Sequence, residues 1–350
     1  MHRILVTGGA GFIGSHTCLV LLKNGFEIIV LDSFINSSER SLERVQQILS
    51  NEKFNYNLKI KIIKGDVRDK NIIEDLFLEA INEFKPINAV LHFAGLKAVE
   101  ESFNLPLDYW DTNICGTINL LKVMKKYNCK TIVFSSTAAI YKRSDNTYLN
   151  EDSDIKPINP YGITKHNVEQ ILRSLFDNDS KNWRIACLRY FNPIGAHESG
   201  LLGEFSSSIP NNIFPYINLV AFGKIKELKI FGKDWPTSDG TCIRDYIHVM
   251  DLAEGHLEAL KYIYEGEPKF ITLNLGTGIG TSVMQLINTF SRVNKVNVPF
   301  SFTEKRKGDE CSVIADNALA KKLLGWSTKR NLIDMCKDGW NWQLKNPNGY

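Results

Sequence analysis

A run of glycines between an apolar stretch and a helical pattern is the strongest constraint on how this chain folds. Arg3–Thr7 leads directly into Gly8-Gly9-Ala10-Gly11-Phe12-Ile13-Gly14. The glycines fit G-x-x-G-x-x-G through Gly8, Gly11 and Gly14, and G-x-G-x-x-G through Gly9, Gly11 and Gly14. Behind them Phe12, Ile13, Cys18, Leu19, Val20 and Leu22 follow a helical spacing that ends at Asn24-Gly25, a natural C-cap. Residues 27–31 then read as a buried strand closing on Asp32. Strand, glycine turn, helix, strand and a following acid supply the context that a lone glycine motif lacks. Glycine lets the backbone approach a pyrophosphate, the helix N-terminus favours its charge, and Asp32 can accept from a ribose diol. An Asp there also repels a 2′-phosphate, which favours NAD over NADP, with Arg40 nearby as the one opposing feature.

The alternation continues along the chain. Residues 59–64, 89–93, 131–135 and 184–190 read as strands, and 70–84 and 107–127 as helices. This pattern predicts an α/β fold: a Rossmann-type, doubly wound parallel sheet with a smaller C-terminal substrate domain. Ligands in such sheets sit at the carboxyl ends of the strands. Gly8–Gly14, Asp32, Asp66, Phe93-Ala94-Gly95, Ser135-Ser136-Thr137 and Tyr190-Phe191-Asn192 all fall at those ends. After Asn192 glycine, proline and asparagine become denser, so we place an NAD-binding domain at 1–193 and a substrate domain at 194–350. Residues 246–250 are expected as a strand returning to the first sheet, so that a segment near 240–260 rejoins the first domain. Asp251 is expected to N-cap a helix over 252–264, and the polar stretch 36–56 to form a loop.

A second stretch carries chemistry. Pro160 presets a helical φ and Asn159 before it can cap the exposed donors, so a helix begins there. Tyr161 and Lys165, four residues apart, share one face of it. A free phenol, with a pKa of about 10, is a poor base at neutral pH. Lowering it by ~3 units needs ~4 kcal/mol, which a lysine and a cationic cofactor together can supply. Tyr-x-x-x-Lys is common, and its meaning here rests on the glycine turn and the hydroxyl at Thr137.

Composition removes several classes. With 350 residues, 43% hydrophobic and 23% charged, the chain reads as a soluble globular protein of roughly two domains. A net charge of +3 is too small to suggest a nucleic-acid surface. Seven cysteines, dispersed without CxxC or metal-ligand spacing, suggest reduced thiols and no metal. No apolar run has the length of a membrane span and no leader pattern precedes the first strand, so the expectation is a cytoplasmic protein.

Thr7–Gly14, Asp32, Phe93-Ala94-Gly95-Leu96-Lys97, Ser135-Ser136-Thr137, Tyr161 with Lys165, and Arg189-Tyr190-Phe191-Asn192 together resemble the extended short-chain dehydrogenase/reductase family. Several later motifs narrow the resemblance to the UDP-glucose 4-epimerases. They are Gly195-Ala196-His197, Ile209-Pro210-Asn211-Asn212, Asp239-Gly240-Thr241, Arg244-Asp245-Tyr246-Ile247-His248-Val249, Arg306-Lys307-Gly308-Asp309, Gly339-Trp340-Asn341-Trp342 and Asn346-Pro347-Asn348-Gly349-Tyr350.

The resemblance implies a redox-neutral reaction in which NAD takes a hydride from C4 of a UDP-sugar and returns it to the opposite face of the 4-keto sugar. On this chain Tyr161 is then the base and later the acid. Lys165 holds the nicotinamide ribose and lowers the phenol pKa, and Thr137 hydrogen-bonds the reacting oxygen. Cofactor contacts map onto Gly8, Gly11, Phe12, Ile13, Gly14, Asp32, Asn36, Asp66, Val67, Phe93, Ala94, Gly95, Lys97, Asn113, Tyr161, Lys165 and Tyr190. Substrate contacts map onto Lys97, Thr137, Asn192, Asn212, Phe231, Arg244, Arg306, Asp309 and Val313. The family also implies a homodimer through the helix before Thr131 and the helix bearing Tyr161, where Ile118, Leu121 and Leu172 are apolar positions that could equally be internal core.

Two positions depart from the pattern, Thr137 where serine is usual and Lys142 where glycine is usual; the second would be strained at positive φ. At Val313 some relatives carry tyrosine, and the smaller valine suggests room for an N-acetyl group and hence for UDP-GlcNAc and UDP-GalNAc. Three rival readings remain. Related 4,6-dehydratases carry an Asp-Glu pair where this chain has Ala138-Ala139. A UDP-uronic acid 4-epimerase needs a cation facing the C6 carboxylate, and none stands out in the sequence. A non-catalytic NAD sensor has no need to keep Tyr161, Lys165 and Thr137 together.

Overall fold

The computed structural model describes residues 2–53, 60–142, 148–205, 210, 212–306 and 309–350. The chain opens with β1 (Arg3–Thr7), α1 (Phe12–Lys23), β2 (Glu27–Asp32), α2 (Arg40–Asn51), β3 (Ile60–Lys64), α3 (Lys70–Asn82) and β4 (Ile87–His92). Next come α4 (Val99–Asn104), α5 (Pro106–Tyr109), a π-helical turn (Trp110–Cys115), α6 (Gly116–Lys126), β5 (Thr131–Thr137) and a 3₁₀ turn (Ala138–Ile140). β6 (Tyr148–Leu149), α7 (Pro160–Asn178), β7 (Arg184–Tyr190), β8 (Asn192–Ile194), α8 (Ile213–Ala221), β9 (Leu228–Phe231) and β10 (Ile243–His248) follow. The chain closes with α9 (Val249–Tyr264), β11 (Phe270–Leu275), β12 (Gly280–Ser282), α10 (Val283–Asn294), β13 (Phe300–Thr303), β14 (Ser312–Ala315), α11 (Ala318–Leu324) and α12 (Leu332–Lys345).

Seven strands pair in the order β11-β7-β5-β4-β1-β2-β3, every neighbour parallel. This is the doubly wound sheet expected from the sequence. Strands buried on both faces need apolar side chains in both directions. Ile4, Val6, Ile28 and Val30 pack with Leu19, Leu42 and Leu257 of α1, α2 and α9. The alternate residues Leu5, Ile29 and Leu31 pack with Phe77, Leu121 and Leu172 of α3, α6 and α7. The strand order reverses between β1 and β4, which opens a crevice at their carboxyl ends.

A second sheet runs β12-β10-β14-β6, with β8 also paired to β10, and β9 pairs β13. Its core holds Phe214, Leu228, Phe290 and Trp340. A small cluster of Tyr141, Leu149, Phe191 and Ala315, with Ala138 and Val313 against it, joins the end of β5 to this sheet.

Several local expectations are corrected. The strand that returns to the first sheet is β11; β10 ends at His248 and pairs in the second sheet. The His248 ring caps the following helix through Met250 N–H at 3.0 Å, and Asp251 lies inside that helix. Its carboxylate instead accepts the backbone N–H groups of Lys329 and Arg330 at 3.1 and 3.0 Å. The polar stretch 36–56 holds α2, whose Leu42, Val45, Ile48 and Leu49 form one buried stripe. Residues 107–126 are helical but pass through the π turn. Of the apolar positions that could belong to a dimer face or to the core, Leu121 and Leu172 belong to the chain's own core. Lys142 is not among the positive-φ residues; it lies exposed and ion-pairs with Asp154 at 2.9 Å. Lys59, the first residue of the third predicted strand, lies outside the described residues. Among the described residues no helix is long and apolar enough to cross a membrane, and all seven cysteines are free thiols.

Candidate active site

The glycine turn is built by close approach. Gly8 has φ +71°, and a Cβ there would fall 2.6 Å from Ala94 N; at Gly14 one would fall 2.3 Å from the Gly8 carbonyl oxygen. Gly11 differs, since a Cβ there would meet only that oxygen, at 3.4 Å, so its outer side is open. No side chain caps α1 and no acid occupies its first turn, which leaves the N–H groups at Phe12, Ile13 and Gly14 for an outside acceptor. An anion suits that place. Asp32, at the end of β2, is buried and accepts from Ala10 N–H at 2.9 Å, Phe34 N–H at 3.0 Å and the Ser37 hydroxyl at 2.8 Å. It therefore shapes the turn as well as bordering it. Asn36 is exposed on the loop beyond.

Beside β3, the Arg68 guanidinium clasps Asp66 at 2.7 and 3.0 Å and holds its carboxyl below the usual range. Val67 is buried, and a Cβ at Gly116 would fall 2.8 Å from it. Phe93 and Ala94 donate their N–H groups to Thr7 C=O at 2.9 and 3.0 Å, which ties the end of β4 to the glycine turn. The π turn explains Asn113: it carries this residue, whose Oδ1 accepts Leu96 N–H at 2.8 Å. Its Nδ2 donates to Leu96 C=O at 3.1 Å and to the Thr164 hydroxyl at 3.0 Å. One buried amide thus fastens the loop after β4 to α7.

On α7, Asn159 caps Gly162 N–H at 2.7 Å and Pro160 opens the helix, as the sequence predicts. A Cβ at Gly162 would fall 2.7 Å from Ala139 C=O, so the helix start presses on the turn after β5. This brings Tyr161 to Thr137. Burial raises the Tyr161 phenol to about 12, and a hydrogen bond with Thr137 offsets part of that rise. Burial also lowers Lys165 to about 7. Its Nζ donates to Ser135 C=O at 2.8 Å and sits near Gly95, where a Cβ would fall 3.8 Å away. In the protein alone desolvation dominates both groups. Tyr190, opposite Thr137 in the β5–β7 pairing, hydrogen-bonds the His256 ring.

In the second half, the Arg306 guanidinium lies 4.3 Å from the Phe231 ring centre and its Nε bonds Asp309 at 3.2 Å. Arg244 donates to Ile243 C=O and Glu310 C=O, both at 2.8 Å, and stands directly opposite Val313 across β10 and β14. Arg244, Asp309 and Arg306 all act on the Cys242 thiol, which burial raises. Val313, like Ala138, packs against the cluster of Tyr141, Leu149, Phe191 and Ala315 near the end of β5. Asn192 is half-buried at the start of β8. Ile209, Asn211, Lys307 and Gly308 lie outside the described residues.

The chain as a whole is similar to known proteins. The sequence model of the GDP-mannose 4,6 dehydratase family matches residues 5–339. The UDP-glucose 4-epimerase of Bacillus subtilis (strain 168) is 48% identical, over 99% of this chain and 98% of that protein. This chain belongs to the UDP-glucose 4-epimerase family. Two solved structures of that family superpose closely. The Stenotrophomonas maltophila enzyme, with bound NAD and formylated UDP-arabinopyranose, has a TM-score of 0.93 at 42% identity, covering 99% of each chain. The Bifidobacterium longum enzyme, in complex with NAD+ and UDP, has a TM-score of 0.92 at 44% identity, covering 99% of this chain and 100% of that one.

Within this epimerase fold, one site residue escaped the sequence reading. Glu204, its side chain 13% exposed, accepts from Asn212 Nδ2 at 3.2 Å and lies 3.6 Å from the Lys97 amine. It joins a loop of the first sheet to the start of α8. Only its place beside Gly203 in a glycine- and proline-rich stretch could have drawn attention to it.

Proposed function

We propose that the protein is an NAD-dependent UDP-glucose 4-epimerase that interconverts UDP-glucose and UDP-galactose. The observation that carries this reading is the convergence of Thr137, Tyr161 and Lys165 at the end of β5, beside a loop tied to the glycine turn. The turn fits a dinucleotide: open space outside Gly11, uncapped N–H groups on α1, and Asp32 at the next strand end. NAD, when bound there, supplies the acceptor for the C4 hydrogen and a positive charge next to the phenol.

The chain's own groups do the rest. Tyr161 takes the proton of the sugar 4-hydroxyl and gives it back after the ring has turned. Thr137 hydrogen-bonds that oxygen, and its own Oγ is oriented by Ala139 N–H at 3.1 Å. Lys165 offers its remaining donors to ribose hydroxyls. Asn113 holds the loop that carries Gly95 and Lys97. Arg244 and Arg306 suit the diphosphate, Phe231 offers a face to the uracil and Asp309 can hold the uridine ribose, with Asn192 and Asn212 as further nucleotide contacts.

Val313, on a wall with Ala138, Tyr141 and Phe191, supports acceptance of the N-acetylated pair as well. The Lys97–Glu204 pair favours neutral sugars over uronic acids, since this cation already has a carboxylate partner. Ala138-Ala139 lack the acid–base groups of a dehydratase. We also assign 1–193 to cofactor and 194–350 to nucleotide-sugar binding, with α9 and β11 crossing back. Exposed Phe103, Leu107 and Trp110, near α7, support a homodimer, and seven free thiols support a cytoplasmic setting. The test is product analysis by NMR with UDP-glucose, UDP-galactose, UDP-GlcNAc and UDP-glucuronate offered separately and no cofactor added. Absence of UDP-glucose/UDP-galactose exchange overturns the reading.

A further inference from the structure

Behind the site lies a buried charge pair that no step above uses. Glu169 and Arg189 have side chains only 5% exposed and meet through two parallel bonds, Nη2 to Oε2 at 2.8 Å and Nε to Oε1 at 3.1 Å. The Ser136 hydroxyl also donates to Glu169. The other terminal nitrogen of Arg189 donates to the Tyr141 hydroxyl and to Glu151 C=O, each at 3.0 Å. The Tyr141 hydroxyl donates to Asn274 Oδ1 at 2.5 Å, and Asn274 N–H donates to the Glu151 carboxylate at 2.7 Å.

A buried ion pair is poor support for stability, because desolvation offsets most of its attraction and apolar replacements often do as well. Its neighbours suggest another use. Ser136 precedes Thr137, Arg189 precedes Tyr190, and Ser136 faces Arg189 in the β5–β7 register as Thr137 faces Tyr190. Glu169 lies one turn beyond Lys165 and two beyond Tyr161, on the same stripe of α7. Tyr141 and Leu149 belong to the cluster that holds Val313. The bonds to Ser136 and Tyr141 therefore end beside Thr137 and on the cluster against which Val313 packs, while the bond to Glu151 C=O ties in the turn after β6.

We propose that Glu169 and Arg189 are positioning residues that lock β5, α7 and β7 in one arrangement and thereby fix Thr137, Tyr161 and Lys165 relative to each other. The inference rests on the epimerase reading of those three residues. A misplacement of about 1 Å can cost about 100-fold in rate, so loss of the lock registers in turnover ahead of binding.

The test is the double variant Glu169→Leu with Arg189→Met, measured for kcat, KM for UDP-galactose, bound NAD and Tm, beside the parent and Tyr161→Phe. The expected result is a folded protein with the parent's KM and NAD content and kcat lowered by about tenfold or more. A merely structural role moves Tm and leaves kcat alone. A folded double variant with kcat within about twofold of the parent overturns the proposal. If the double variant does not fold, Arg189→Lys, which keeps the charge and loses the fork, and Ser136→Ala decide by the same split of kcat from KM. A parent without epimerase activity refutes the functional reading itself. Loss in Tyr161→Phe with none in the pair variants refutes only the positioning role.

Discussion

The Lys165 amine donates to the backbone carbonyl of Ser135 at 2.8 Å and, among the described residues, ion-pairs with no carboxylate. A buried cation without a counter-charge is costly, and its neighbour below is the Phe134 ring at 4.9 Å. The helix that begins at Pro160 thus carries a lysine with donors to spare, aimed at the cofactor crevice.

That relationship has a pH signature. The folded-state pKa of Lys165 is lowered from 10.5 to about 7, so between those values the unfolded chain holds the proton that the folded one has released. Its destabilising effect is full below the lower value and is relieved as pH rises. The Tm of nucleotide-free parent minus that of Lys165→Met is expected to increase from neutral pH towards the lysine range. A flat difference contradicts the buried, unpaired amine.

Tyr161→Phe keeps the ring and removes the proton-carrying oxygen. Turnover is expected to fall by about 100-fold or more, with bound NAD retained. Activity within tenfold or so of the parent removes Tyr161 from the acid–base role.

Much of this was legible in the sequence, for identifiable reasons. Buried parallel strands and a glycine turn leave strong local marks, so the sheet, Asp32 and the Asn159 cap of α7 were readable. The stretch 36–56 misled because polar residues outnumber the narrow stripe of Leu42, Val45, Ile48 and Leu49. The π turn that aims Asn113 has no composition signal. Sequence spacing shows Lys165 next to Tyr161 but not the burial that shifts both. Glu204 and the Glu169–Arg189 pair depend on segments far apart in the chain, and only folding brings them together.

Glu204→Gln frees the Lys97 amine from its carboxylate partner. An ion pair of a half-exposed lysine is worth about 0.2–1 kcal/mol, so UDP-glucuronate should improve by up to about fivefold relative to UDP-glucose in kcat/KM. An unchanged ratio removes Glu204 as a specificity determinant.

Val313→Tyr fills the wall beside Ala138 and Phe191. Overpacking of this kind costs about 1–3 kcal/mol, so UDP-GlcNAc turnover should fall about tenfold to 100-fold while UDP-glucose is spared. Equal effects on both substrates, or a parent with no UDP-GlcNAc turnover, contradict the reading of Val313.

The central claim is that hydrogen leaves C4 and returns to it without meeting solvent. The direct measurement is NMR of UDP-galactose incubated in heavy water with the purified protein and no added cofactor. The expected product is UDP-glucose carrying its original protium at C4. Deuterium at C4, or no UDP-glucose at all, contradicts it.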